Sequence, residues 1–210
     1  MALATGRPAQ SAPVTFDFSG TVAAVQGSPL AGFPAAPGVG ASVTGAYSFD
    51  PTTPGNINFT NDGINTSYRN AITEFNIAGF NLDHILQRTN FITVAKSFGP
   101  PGSDFYGVGI TAFSSDEKYF FDINLAFFNQ NLPGVTSLPA PGDLLLAGNV
   151  AQFDFEILDG QHLSLDPPIF TLLGFIDRVS EVPEPSALFL FIGSLVAALA
   201  ATRSRRARRF

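Results

Sequence analysis

Val14-Thr-Phe-Asp-Phe-Ser-Gly-Thr-Val22 is the stretch on which the fold turns. Its apolar residues Val14, Phe16, Phe18 and Val22 alternate with Thr15, Asp17, Ser19 and Thr21. Successive side chains of a strand point to opposite faces, so this period of two gives one apolar face and one polar face. The same pattern recurs along the chain. Val43, Gly45, Tyr47 and Phe49 oppose Ser42, Thr44, Ser48 and Asp50, and Thr73, Phe75 and Ile77 oppose Glu74 and Asn76. Further on come Tyr119, Phe121, Ile123, Leu125 and Phe127, then Phe153, Phe155 and Ile157 with Asp154 and Glu156 outside. Ile169 to Ile176 is a last candidate strand, and Asp83–Val94 reads as either a strand or a short helical turn.

Turn clusters separate these runs: Gln26–Gly40, Asp50–Gly55, Asn61–Gly63, Gly99–Ser103, Leu132–Gly142 and Asp159–Gly160. Pro and Gly at this density break helices and set turn dihedrals. No part of residues 14–178 carries a sustained helical stripe with caps. About nine or ten short strands with turns between them predict an all-β body, an antiparallel β-sandwich or jelly roll.

Phe occurs 22 times while Trp and Cys are absent, so the core is expected to rest on Phe, Val, Ile and Leu. Without cysteine there is no disulfide framework, no Cys-ligated zinc and no thiol nucleophile. The net charge of −6 hides a division. Five of the 11 basic residues, Arg203, Arg205, Arg206, Arg208 and Arg209, fall in the last eight positions. Residues 1–185 hold six Lys or Arg against all 17 Asp and Glu, a net of −11. Such a body repels phosphate backbones, and nucleic acid is not an expected partner.

Ala187 to Ala201, ALFLFIGSLVAALAA, is fifteen uncharged residues broken only by Gly193 and Ser194. As a helix it covers about 23 Å. A bilayer core of about 30 Å normally takes about 20 residues. Pro185, Ser186 and Thr202 lengthen the stretch, and arginine stems can snorkel to the interface. A buried core helix is the competing reading. The run is apolar on all sides, follows a Pro-rich stretch and ends in Arg203–Arg209. Helix-dipole capping gains only about 0.3–1 kcal/mol per charge, so five arginines exceed what a cap needs. They suit the positive-inside rule, with the tail cytoplasmic and residues 1–182 outside.

Val182-Pro183-Glu184-Pro185, an apolar span containing Gly193, and a terminal arginine cluster occur here in that order. This arrangement resembles the PEP-CTERM protein-sorting domain, also known as the ice-binding protein C-terminal domain, a name that need not imply ice binding. The resemblance covers about residues 181–209. It implies an exosortase as partner, a multipass membrane enzyme of Gram-negative bacteria that make exopolysaccharide. It also implies that Val182, Pro183, Glu184 and Pro185 are the sorting motif, that processing falls there, and that the span and basic tail are discarded or exchanged. An extended, rigid tripeptide just outside the membrane enters a protease-like groove at little ordering cost. Family members carry a signal peptide; residues 1–13 contain no apolar run of seven, and the reading expects that segment upstream of Met1. The openings Val14–Val22 and Gly45–Asp50 resemble, more loosely, β domains that precede such tails.

The expected organisation is an exposed segment 1–13, a β body 14–178, a linker 179–185, a transmembrane helix 186–202 and a basic tail 203–210. The expected protein is a non-catalytic envelope or matrix component. It starts as a single-pass inner-membrane protein with its body periplasmic and, after processing, is retained with exopolysaccharide or matrix proteins. No cofactor or metal is expected. His84 and His162 have no motif partner and read as loop or surface residues. No zinc, nucleophile-elbow or phosphate-loop motif is present. Asn61-Asp62-Gly63 and Asp159-Gly160 lack calcium-loop spacing and read as turns. An ice-binding face would need Thr-x-Thr ladders that the chain lacks. The alternative is a secreted polysaccharide-acting hydrolase using strand carboxylates such as Asp154 and Glu156; against it, their place on a polar strand face reads as solvated charge.

Overall fold

The computed structural model describes residues 12–28, 37–78, 85–97, 104–114, 116–130, 132, 138, 144, 150–160 and 167–183. Ten strands run in chain order: β1 (Val14–Gly27), β2 (Ser42–Phe49), β3 (Asn56–Thr60), β4 (Gly63–Arg69), β5 (Ile72–Ile77), β6 (Ile85–Ser97), β7 (Asp104–Ser114), β8 (Tyr119–Gln130), β9 (Val150–Asp159) and β10 (Phe170–Val182). They form one antiparallel sheet in the order β3-β4-β6-β7-β8-β9-β10-β1-β2-β5. The all-β, antiparallel expectation holds. The strands belong to a single hydrogen-bonded sheet, and two parts of it face each other across the core.

Two contacts show how far the sheet bends. Asn90 on β6 is buried, and its carboxamide accepts from Ile72 N (2.9 Å) and donates to Ile72 O (2.9 Å) on the edge strand β5. One side chain thus satisfies both backbone groups that a neighbouring strand would otherwise pair. Across the core, the hydroxyls of Tyr47 on β2 and Tyr106 on β7 lie 3.3 Å apart. The inner face is one continuous cluster that includes Phe16, Phe121, Phe153, Phe155 and Phe170.

Glycine explains part of the phenylalanine excess. Phe18 is the cross-strand partner of Gly45, Phe91 of Gly109, and Phe153 of Gly174. A Cβ on these glycines would lie 2.4, 2.3 and 2.2 Å from the Cζ of the partner ring. The ring lies over the space that glycine leaves, which covers the exposed backbone and pins the register.

One open reading is settled and two expectations need correction. Of the two readings of Asp83–Val94, the described residues from Ile85 onward take the strand, as β6 runs Ile85–Ser97. In β5 the buried residues are Ile72 and Ile77, and Thr73 is exposed. The β2–β5 register slips between Ser48 and Phe49, which leaves Thr73 as an extra residue and turns it outward. The body also continues past Arg178. β10 runs to Val182, with Phe18↔Val179, Asp17↔Ser180, Phe16↔Glu181 and Thr15↔Val182 paired. Residues 179–182 are therefore strand, because the N-terminal end of β1 offers them backbone partners that no local signal announces.

β6 and β7 are clamped by Asp104, a buried carboxylate. It accepts from Ser97 N (3.2 Å) and Leu132 N (2.9 Å), with Lys96 Nζ at 3.7 Å. Lys96 Nζ in turn donates to Leu132 O at 2.7 Å. This network holds Leu132 in the core.

Candidate functional site

The outer face of β8 and β9 gathers the acidic residues. The register places Asp122 opposite Glu156 and Asn124 opposite Asp154. Directly opposed side chains have Cβ atoms about 4.5–5.5 Å apart. Asn124 Nδ2 donates to Asp154 Oδ2 at 3.2 Å. All four residues are partly buried although they face outward. Phe91 and Asn124 both lie over the space that Gly109 leaves, so Asn124 sits close to the sheet.

The electrostatics follow from that placement. Burial raises the pKa of Asp122 and Asp154, opposed in each by the Asn124 hydrogen bond. The Asp122 charge raises Asp154 further. Glu156 is raised first by burial, then by the charges of Asp154 and Asp122. Burial and mutual repulsion therefore push the pKa of all three carboxyls in the same direction, upward. A raised proton affinity is the direction in which a general acid is tuned. Among the described residues, no three His, Asp or Glu side chains are placed to hold a metal ion.

Sequence reading singled out Asp154 and Glu156, and the structure puts both on the outer face as expected. It passed over Asp122. The signal was present, because Asp122 lies on the polar side of the Tyr119–Phe127 alternation. That β8 and β9 are neighbours, and in which register, was not readable from either run alone.

Of the sorting motif, Val182 is the last residue of β10 and Pro183 is exposed immediately beyond it. Glu184, Pro185, the Ala187–Ala201 span, Arg203, Arg205, Arg206, Arg208 and Arg209 lie outside the described residues, as do His84 and His162. Among the described residues no helix is long and apolar enough to cross a membrane. The Asn61–Gly63 segment is the tight connection of the β3–β4 hairpin, in which Thr60 Oγ1 donates to Gly63 O at 3.1 Å. Gly160 N donates to Lys118 O at 2.7 Å, tying the end of β9 to the start of β8. No protein-family model, curated protein or solved structure matches this chain.

Proposed function

We propose that the chain is an exported envelope or extracellular-matrix protein sorted through a PEP-CTERM tail. In this reading Ala187–Ala201 forms a single C-terminal transmembrane helix, and the arginines from Arg203 to Arg209 hold its end in the cytoplasm. The body is periplasmic in the membrane-bound form. An exosortase then processes the chain at Val182-Pro183-Glu184-Pro185, and the protein is retained with exopolysaccharide or matrix proteins. The sandwich-like body acts by binding or as a structural element, without catalysis.

The observation that carries the reading is the order of tripeptide, uncharged span and arginine cluster in residues 183–209. The fold supports it at one point: the sheet stops at Val182, and Pro183 is exposed, so the motif begins where backbone pairing ends. Deleting Pro183–Pro185 should leave the full-length protein in the inner membrane, followed by fractionation and immunoblotting. A deletant processed and released like the parent would overturn the assignment.

The carboxylate row supports a second reading, a polysaccharide-acting hydrolase. Its motive is the raised proton affinity of Asp122, Asp154 and Glu156 on adjacent strands. Under this reading, replacing Asp154 and Glu156 together by Asn and Gln abolishes turnover of the producing cell's polysaccharide. Under the first, localisation and matrix retention are unchanged by the same pair.

A further inference from the structure

A second outer surface, on β10, β1, β2 and β5, carries a depression of ≈ 500 Å³. Its floor is set by register. Ser180, Asp17, Ala46 and Asn76 form one lateral row across the four strands. Arg178, Ser19 and Thr44 form the next row, with Ala78 beside Thr44 through Ala78 N→Thr44 O at 2.7 Å. Four strands at ~4.8 Å and two rows ~7 Å apart make a slot of about 14 by 7 Å.

The position of Arg178 is built by a bulge. Ile176 points into the core, so strict alternation would send Arg178 inward as well. The β1–β10 register jumps from Ser19↔Arg178 to Gly20↔Ile176, which leaves Asp177 as an extra residue. That reverses the face: Arg178 is exposed in the depression, and Val179 packs against the core. Asp177 is tied down by Thr21 Oγ1 at 3.0 Å. Only glycine allows the jump, because a Cβ at Gly20 would lie 2.1 Å from Phe175 O. Bulges of this kind re-aim a side chain.

The lining decides the class of ligand. The apolar lining residues are Phe18, Gly45, Ala46 and Ala78; Phe18 is only 3% exposed, and glycine and alanine are too small to wall an apolar molecule. One guanidinium facing one carboxylate, on a body of net charge −11, disfavours a polyanion. A lone carboxylate is too few for a cation. What remains is a charge-balanced set of donors and acceptors. Arg178 supplies a fork of N–H groups, Asp17 a pair of acceptor oxygens, and Ser19, Thr44 and Ser180 hydroxyls. Asn76 Oδ1 accepts Ala46 N–H at 3.1 Å, which leaves its amino group to donate. Sugar hydroxyls are at once donors and acceptors, so a guanidinium fork and a carboxylate can each engage two neighbouring ones.

We propose that this depression binds a short stretch of neutral, polyhydroxylated glycan, two or so sugar rings lying across β10, β1, β2 and β5. The proposal deepens the matrix-binding part of the function above and rests on that reading for the presence of glycan around the protein. The test titrates full-length protein, held in a polyoxyethylene detergent that contains no sugar, with linear tetrasaccharides of glucose, galactose and mannose. A linear hexuronate tetramer is the charged comparator. One neutral tetrasaccharide should give saturable binding and exceed the hexuronate. Ala46→Trp, which fills the slot from the outer face, and Arg178→Ala should each weaken it at least tenfold with the melting temperature unchanged. Absence of binding by every neutral probe at about 10 mM, a free energy weaker than about 3 kcal/mol, overturns the proposal. So does tighter binding of the hexuronate, or binding that survives either substitution in folded protein. Failure here leaves the fractionation result for the Pro183–Pro185 deletant untouched, so the two readings fail separately.

Discussion

The two faces of β8 and β9 are made by alternating residues of the same strands, yet they treat polar groups in opposite ways. Inside, Phe121, Ile123, Leu125, Phe153, Phe155 and Ile157 are buried in the core. The most deeply buried hydroxyls on the inner face, those of Tyr47 and Tyr106, are neutral and face each other. Burial raises the pKa of both tyrosines, which keeps them uncharged. Outside, Asp122, Asp154 and Glu156 sit half-buried side by side, with Asn124 as the hydrogen-bonding neutral neighbour. The two tyrosine hydroxyls on the inner face stay neutral and paired with each other. The outer face keeps charge in a place that charge disfavours, which is stability withheld from the fold.

The inner face should be the more sensitive. Gly174→Ala places a methyl 2.2 Å from Phe153 Cζ and 2.5 Å from Thr21 O, so ring and backbone must both move. We expect a loss of about 3 kcal/mol in chemical denaturation. A loss below about 1 kcal/mol would show that the ring-over-glycine pairs are loosely fitted.

Tyr47→Phe should cost about 1–2 kcal/mol, because Tyr106 keeps a buried hydroxyl without its partner. Removing both hydroxyls should recover part of that loss, since the orphan disappears. Additive losses in the double variant would mean that each hydroxyl has another partner.

The outer face should give the smallest change, and of opposite sign. A carboxylate whose folded pKa is raised binds its proton more tightly in the folded state than in the unfolded state. Its stabilising contribution is present at acidic pH and is lost as pH rises through the raised value. Asp154→Asn should therefore raise the melting temperature at pH 7 by about 1–3 °C. It should also flatten the gain in stability expected of the parent as pH falls from 7 toward the raised values. Asp50 and Asp116 act the other way, as hydrogen bonds from Thr52 and Ser114 lower their pKa values. Their contribution is lost only as pH falls through those lowered values, below the window in which the carboxylate row titrates. A melting temperature that falls on Asp154→Asn would show that the row is held by an attractive partner.

Much of this was legible in the residues. Alternation placed Phe16, Tyr47, Phe121 and Phe155 in the core and Asp154 and Glu156 outside it. β7 was harder to read, because Phe105, Gly107, Gly109 and Phe113 sit where polar residues would normally mark the wet face. Phe91 crossing over Gly109 makes that face viable, and the pair forms only once β6 lies beside β7. Thr73 and Arg178 were misread or passed over for a shared reason. A bulge reverses facing by one residue, and it is visible only against the partner strand.

By itself, the sequence determined the period-two body, its apolar face, the split between an acidic body and a basic end, and the order of Pro-Glu-Pro, uncharged span and arginines. Those properties are local, set by backbone geometry and by which side chains are neighbours along the chain. Only the tertiary structure decided that Asn90 stitches β6 to β5, that Asp122 joins Asp154 and Glu156, and that Arg178 faces the outer slot. Each of these depends on which strands pair and in which register, and pairing is decided by groups far apart in the chain that meet only when the sheet closes.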